Sequence, residues 1–96
     1  MKYVFDIDGT ICTQTLDYKN ARAFYDRISK VNSLFENGHI IWFFTARGSE
    51  TRLDWYDMTK DQLKQWGVKY HKLLFGKPSA DKYIDDKAID AVTFFK

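Results

Sequence analysis

Val4-Phe5-Asp6-Ile7-Asp8-Gly9-Thr10 constrains this chain more than any other stretch. Lys2 to Ile7 is rich in β-branched and aromatic residues, and Tyr3-Val4-Phe5 is continuously apolar. Such a run reads as a strand buried on both faces, as in a parallel sheet covered by helices. It stops at two carboxylates, followed by a Gly and a Thr. Asp6 and Asp8 are two residues apart, so while the strand lasts they share a side, with Cα atoms roughly 6.5–7 Å apart. Two anions that close repel, so one takes up a proton or a cation lies between them. Mg²⁺ suits the second case, because it accepts carboxylate oxygens and keeps positions for phosphate oxygens. Gly9 permits a sharp or left-handed turn directly after the pair.

The segment Ile11 to Tyr18 is polar and without period, a loop or short flap beside the carboxylates. Cys12 within it reads as a small turn residue, since neither His lies near in sequence to activate a nucleophile. A helix is expected from about Lys19 to Asn37. Ala21, Phe24, Ile28, Val31, Leu34 and Phe35 form one apolar stripe, Asp17 or Asn20 can cap its start, and Gly38 stands at its stop. His39 to Thr45 is a second strand, too apolar for a wet face. It drops into Thr45-Ala46-Arg47-Gly48-Ser49, a tight polar turn that can offer a hydroxyl and backbone N–H groups to an anion.

A second helical region is expected over about Thr51 to Trp66, in two pieces. Thr59-Lys60-Asp61-Gln62 fits a capping box that would start a helix at Lys60. Trp55, Tyr56 and Met58 read as packing. A third strand is placed at Lys72–Phe75, and Gly76-Lys77-Pro78-Ser79 is a turn presenting a cation. Lys82-Tyr83-Ile84-Asp85-Asp86 reads as a fourth short strand, ending like the first in paired carboxylates. His39 and His71 have no zinc-site spacing with Cys12.

With 96 residues the chain has room for one domain, spanning 1–96, and no second lobe. A net charge of +2, with acids and bases interspersed, leaves no basic stripe for nucleic acid. One cysteine, no leader-like segment and no apolar run near ~18 residues point to a soluble cytoplasmic protein with no membrane role. Aromatics make up 18% of residues, more than one small core readily hides. Trp42, Trp55, Trp66 and Phe94-Phe95 are therefore candidates for a homo-oligomeric contact.

Alternating strands and helices favour a parallel α/β sheet with helices on both faces, whose ligands bind at the C-terminal strand ends. Every chemistry-bearing residue falls at such an end: Asp6 and Asp8, then Thr45, then Lys77, then Asp85 and Asp86. Carboxylates for a metal, with a hydroxyl and an ammonium for an anion, suit phosphoryl transfer.

In that order these residues resemble the four motifs of the haloacid dehalogenase (HAD) superfamily, over nearly the whole chain. The resemblance implies a three-layer Rossmann-like HAD core without a cap domain. It also implies a Mg²⁺-dependent phosphomonoester hydrolase. Asp6 would be the nucleophile that forms an aspartyl-phosphate, and Asp8 the general acid and base. Thr45, Ala46 and Lys77 would bind the phosphoryl group. Asp6, the Asp8 carbonyl, Asp85 and Asp86 would surround the metal, with the choice between Asp85 and Asp86 open. Lys82 competes with Lys77 for the lysine role; Gly76-Lys77-Pro78 is the commoner family form. The stretch from Gly76 to Asp86 is similar to small bacterial members linked to capsule and surface-sugar biosynthesis, which implies a small sugar phosphate as substrate. A macromolecular or nucleotide phosphate, or a non-catalytic phosphorylatable module like a response-regulator receiver, are the competing readings.

Overall fold

Three parallel strands in the order β1-β2-β3 organise the chain: β1 Lys2–Phe5, β2 Ile40–Thr45 and β3 Lys72–Phe75. This computed structural model describes residues 1–49 and 54–96. The register sets Val4 opposite Trp42, Phe5 opposite Phe43, Phe43 opposite Leu73 and Thr45 opposite Phe75. Because side chains alternate, Phe5, Ile41, Phe43 and Thr45 point to one face and are buried there.

Helix α1 (Tyr25–Glu36) lays Ile28 and Val31 on that face, and α2 (Tyr56–Gln65) adds Leu63. A short helix α3 (Ala91–Phe94) brings Phe94 to Tyr3 and Phe5, and Phe95 after it to Phe5. Phe94-Phe95 is thus core packing in this chain. Trp42 lies on the other face, flanked by the Lys2 and Lys72 ammoniums at 4.1 and 4.8 Å.

Among the described residues, the expected helices on both faces are not observed. β1, β2 and β3 step in one direction across the sheet, and right-handed crossovers place both connecting helices on the same side. On the opposite face Val4, Ile40 and Leu74 are exposed. A layer there needs the chain to reverse past β1, and it does not. The expected fourth strand, Lys82 to Asp86, is an exposed arm without a ladder partner.

Two helix boundaries also differ from expectation. Asp17 caps only a 3-10 turn at Tyr18–Asn20, and Ala23 bridges to Cys12 in extended form, so α1 starts at Tyr25. Gly38 closes α1 at φ 90°. Helix α2 begins at Tyr56, with Asp54 accepting the Tyr56 N–H, so no helix starts at Lys60. The earlier part of that expected region, Thr51 to Leu53, lies outside the described residues. Among the described residues no helix is long and apolar enough to cross a membrane.

Candidate functional site

β1 ends at Phe5, and the next residues carry both carboxylates into a turn closed by Thr10 and Ile11 N–H groups on the Ile7 carbonyl. Gly9 takes φ 81° in this turn, a conformation L side chains rarely adopt. Ile7 and Ile11 are fully buried and anchor the turn from below. Asp6 and Asp8 both face a cavity of about 320 Å³ at the C-terminal edge of the sheet.

Asp6 sits beside Lys77, whose Nζ is 3.7 Å from Asp6 Oδ1. Burial pushes the Asp6 carboxyl above its ordinary value, and the Lys77 charge offsets this only in part. Lys77 is placed by its backbone N–H on the Thr45 carbonyl, which ties the turn after β3 to the end of β2. Its ammonium also lies 4.2 Å from the centre of the Tyr83 ring. Lys82 is on the exposed arm.

Asp8 has a different partner. Arg47 Nε donates to its Oδ2 and Arg47 Nη2 to its Oδ1, both at 2.9 Å. The guanidinium has no solvent exposure. Its Nη1 donates to Thr59 Oγ1 at 3.1 Å and Gln62 Oε1 at 2.8 Å, both on α2. Tyr18 covers it from the loop after β1, with its ring centre 4.7 Å away. Gln62 Nε2 donates to the Tyr18 carbonyl, so the same glutamine fixes the arginine and the loop. The Cys12 thiol, 3.6 Å from Asp8 Oδ1, is pushed up to about 12 by burial and by the Asp8 charge, and so stays a thiol.

Thr45 is buried at the end of β2, where its hydroxyl accepts the Arg47 backbone N–H at 3.1 Å. The cavity wall beyond it is formed by Ala46, Gly48 and Ser49 rather than by Thr45 itself. Gln14, Thr15 and Tyr18 form the opposite wall, and Ser79, Ala80 and Tyr83 the third.

Asp85 and Asp86 do not join this group. Both lie fully exposed on the arm; the Lys87 backbone N–H lowers the Asp85 carboxyl, and Asp85 in turn raises Asp86. Among the described residues no three metal-ligating side chains come together. Asp85 and Asp86 are thus not brought beside Asp6 and the Asp8 carbonyl, because the segment expected to carry them as a fourth strand is not in the sheet.

No site role is expected from the sequence for Arg47, Thr59 or Gln62. The Thr-x-x-Gln spacing that resembles a capping box is here an i, i+3 pair of polar side chains on the buried face of α2. Two polar groups on an apolar stripe, with a lone Arg in a turn of small residues, were the available signal.

The chain is similar to a crystal structure of an MCSG target protein from Vibrio cholerae, with 28% identity and a TM-score of 0.89 over 98% of this chain and 86% of the other. No protein-family model matches the chain, and no curated protein does. Fold and site define a small α/β protein with a polar, carboxylate-bearing cavity at the C-terminal edge of a parallel sheet.

Proposed function

We propose that this protein is a phosphomonoester hydrolase of the HAD type, with a capless Rossmann-like core, Mg²⁺ as cofactor and a small sugar phosphate as substrate. The observation that carries the reading is a cavity that two carboxylates face, Asp6, half-buried with the Lys77 ammonium 3.7 Å away, and Asp8, held rigidly by Arg47. The cavity volume is near the lower bound for small-molecule sites, roughly 300–1,000 Å³, and its walls carry hydroxyl and amide groups suited to a polyol.

The donor set fits Mg²⁺ in part. Arg47 occupies one lone pair on each Asp8 carboxylate oxygen, so the backbone carbonyl is the freer ligand there, while Asp6 offers a hard carboxylate. Mg²⁺ is commonly held by one or two carboxylates together with water and substrate phosphate. Asp6 and the Asp8 carbonyl would hold it, and when bound it would neutralise phosphoryl charge.

Chemistry then falls to the chain's own residues. An Asp6 oxygen attacks phosphorus, the ester P–O bond breaks, and Asp8 delivers a proton to the departing oxygen. Water attacks the aspartyl-phosphate, Asp8 takes its proton, and the bond to Asp6 breaks to release phosphate. Lys77, 3.7 Å from Asp6, and Ala46, in the cavity wall, would bind phosphoryl oxygens, with Thr45 holding the turn behind. For Asp8 to carry a proton, one of its two bonds from Arg47 must yield.

A screen of phosphorylated metabolites with Mg²⁺ tests the reading. Sugar phosphates should be hydrolysed, and exhaustive chelation should abolish turnover. No hydrolysis of any phosphomonoester refutes the function, and turnover that survives chelation refutes the cofactor.

A further inference from the structure

We propose that Tyr83 is a positioning residue for Lys77: its ring holds the ammonium beside the Asp6 carboxylate, where a transferring phosphoryl group would meet it. The catalytic consequence rests on the phosphohydrolase reading; the hold on the ammonium does not.

A lysine is a point charge on a flexible four-carbon stem, so fixing its backbone does not fix its charge. The root of Lys77 is fixed. Gly76 before it takes φ 95°, Pro78 follows it, and its own N–H donates to the Thr45 carbonyl at 3.2 Å. The tip is held differently. Nζ lies 3.7 Å from Asp6 Oδ1, beyond the roughly 2.7–2.9 Å of a charge-assisted hydrogen bond. Attraction across that gap has no preferred direction and leaves the stem free to swing toward water. The second contact on the ammonium is the Tyr83 ring, whose centre is 4.2 Å from Nζ, within the range of a cation–π interaction. Between the carboxylate and the ring, the ammonium has one place to rest.

Tyr83 is itself tied down for this. Its Oη donates to the Pro78 carbonyl, which closes residues 78–83 into a loop folded back beside Lys77. Residue 83 lies in a segment that joins no ladder, so these local contacts set where its ring stands. The phenol commits its hydroxyl to the loop and keeps its ring face for the cation. Lys82, its neighbour in the chain, stands in solvent, which shows that the segment does not gather cations in general. With Ser79 and Ala80, Tyr83 also forms one wall of the cavity that Asp6 faces. A wall residue that touched only substrate would govern binding; one that holds Lys77 governs the chemical step, and the two roles give different kinetics.

Tyr83→Phe keeps the ring face and Tyr83→Leu removes it, with circular dichroism as the check that both variants fold. NMR of the full chain reads the hold directly. The ε-methylene protons of Lys77 should be shifted upfield of those of Lys82 by the ring current in the parent and in Tyr83→Phe, and should move to the Lys82 position in Tyr83→Leu. No upfield shift in the parent, or a shift that survives Tyr83→Leu, overturns the proposal. Steady-state kinetics on one aryl phosphate with Mg²⁺ read the consequence. Tyr83→Leu should lose about 5- to 30-fold in kcat with little change in KM, the scale of a partly desolvated cation–π contact, and Tyr83→Phe should recover most of it. In a Lys77→Met background Tyr83→Leu should cost nothing further. A loss confined to KM, or one that adds to the Lys77→Met loss, makes Tyr83 a wall residue only and overturns the positioning role. A parent inactive on every phosphomonoester refutes the phosphohydrolase reading instead, and the NMR comparison still decides the hold on Lys77.

Discussion

Arg47 grips Asp8 through two parallel hydrogen bonds of 2.9 Å, and does so with a guanidinium that has no contact with solvent. Removing one partner of such a pair leaves an uncompensated buried charge, at a cost of about 3–5 kcal/mol. Arg47→Met and Asp8→Asn should each lower stability by that order, while the double variant should lose much less than the sum. Urea denaturation of the four proteins gives the cycle. Additive losses would show that the two residues are not energetically coupled.

Asp6 is in the opposite situation. Burial raises its carboxyl above the ordinary 3.8, and Lys77 recovers only part of the shift. A carboxyl that holds its proton more tightly folded than unfolded supports the fold below the unfolded value, and that support is lost as pH rises through the folded value. Asp6→Asn should therefore melt above the parent at pH 7 in metal-free buffer. The gain should shrink as pH falls through the raised value and vanish below 3.8. A variant that melts lower at pH 7 would mean that the Lys77 pairing outweighs desolvation.

What the sequence reveals of this protein is set by how local each signal is. β1, β2 and β3 are legible because each is a continuous apolar run bounded by polar turns, and Asp6, Asp8 and Lys77 could be placed at their ends for the same reason. The Arg47 cluster is not legible. Its partners come from three distant segments, Asp8, Tyr18 and the Thr59–Gln62 face of α2, and only the folded chain joins them. The segment 82–86 has strand composition, but composition does not supply a neighbouring edge, and in the fold it pairs with no strand of the described residues. The start of α1 is not legible because Ala21 and Phe24 continue the apolar spacing of the helix while the Cys12–Ala23 bridge holds the backbone extended.

Gln62 links the buried arginine to the cavity wall, since its Oε1 accepts from Arg47 and its Nε2 donates to Tyr18. Gln62→Leu strands one buried donor on Arg47, which costs about 1–3 kcal/mol, while the Tyr18 carbonyl keeps the Ala21 N–H. Thr59→Val removes one acceptor that Gln62 shares, and should cost about 1 kcal/mol. The glutamine change should also raise KM, because it frees the loop that carries Gln14, Thr15 and Tyr18. Melting curves and steady-state kinetics on the two variants separate these effects. A KM unchanged in Gln62→Leu would show that the loop wall does not contact substrate.

Lys77 and Lys82 carry the same charge five residues apart, and the structure places them in different surroundings. Lys77 Nζ is 3.7 Å from Asp6, on a side chain only 19% exposed, whereas Lys82 stands in solvent on the arm. An ammonium aimed at the transferring phosphoryl group acts where water is partly excluded, and losing one such donor costs roughly 10²–10³ in kcat. Lys77→Met should lose activity on that scale. Lys82→Met, which keeps the length and apolar stem of its side chain, should stay within about twofold of the parent, as a solvated surface charge does. The two variants also differ in pH dependence. Lys77 lowers the Asp6 carboxyl, so its removal should move the acid limb of kcat/KM to higher pH, and removal of Lys82 should leave the limb in place. Both comparisons use one aryl phosphate at saturating Mg²⁺. If Lys82→Met is the crippling change, or if the acid limb of Lys77→Met does not move, Lys77 is not the residue that faces Asp6 during turnover.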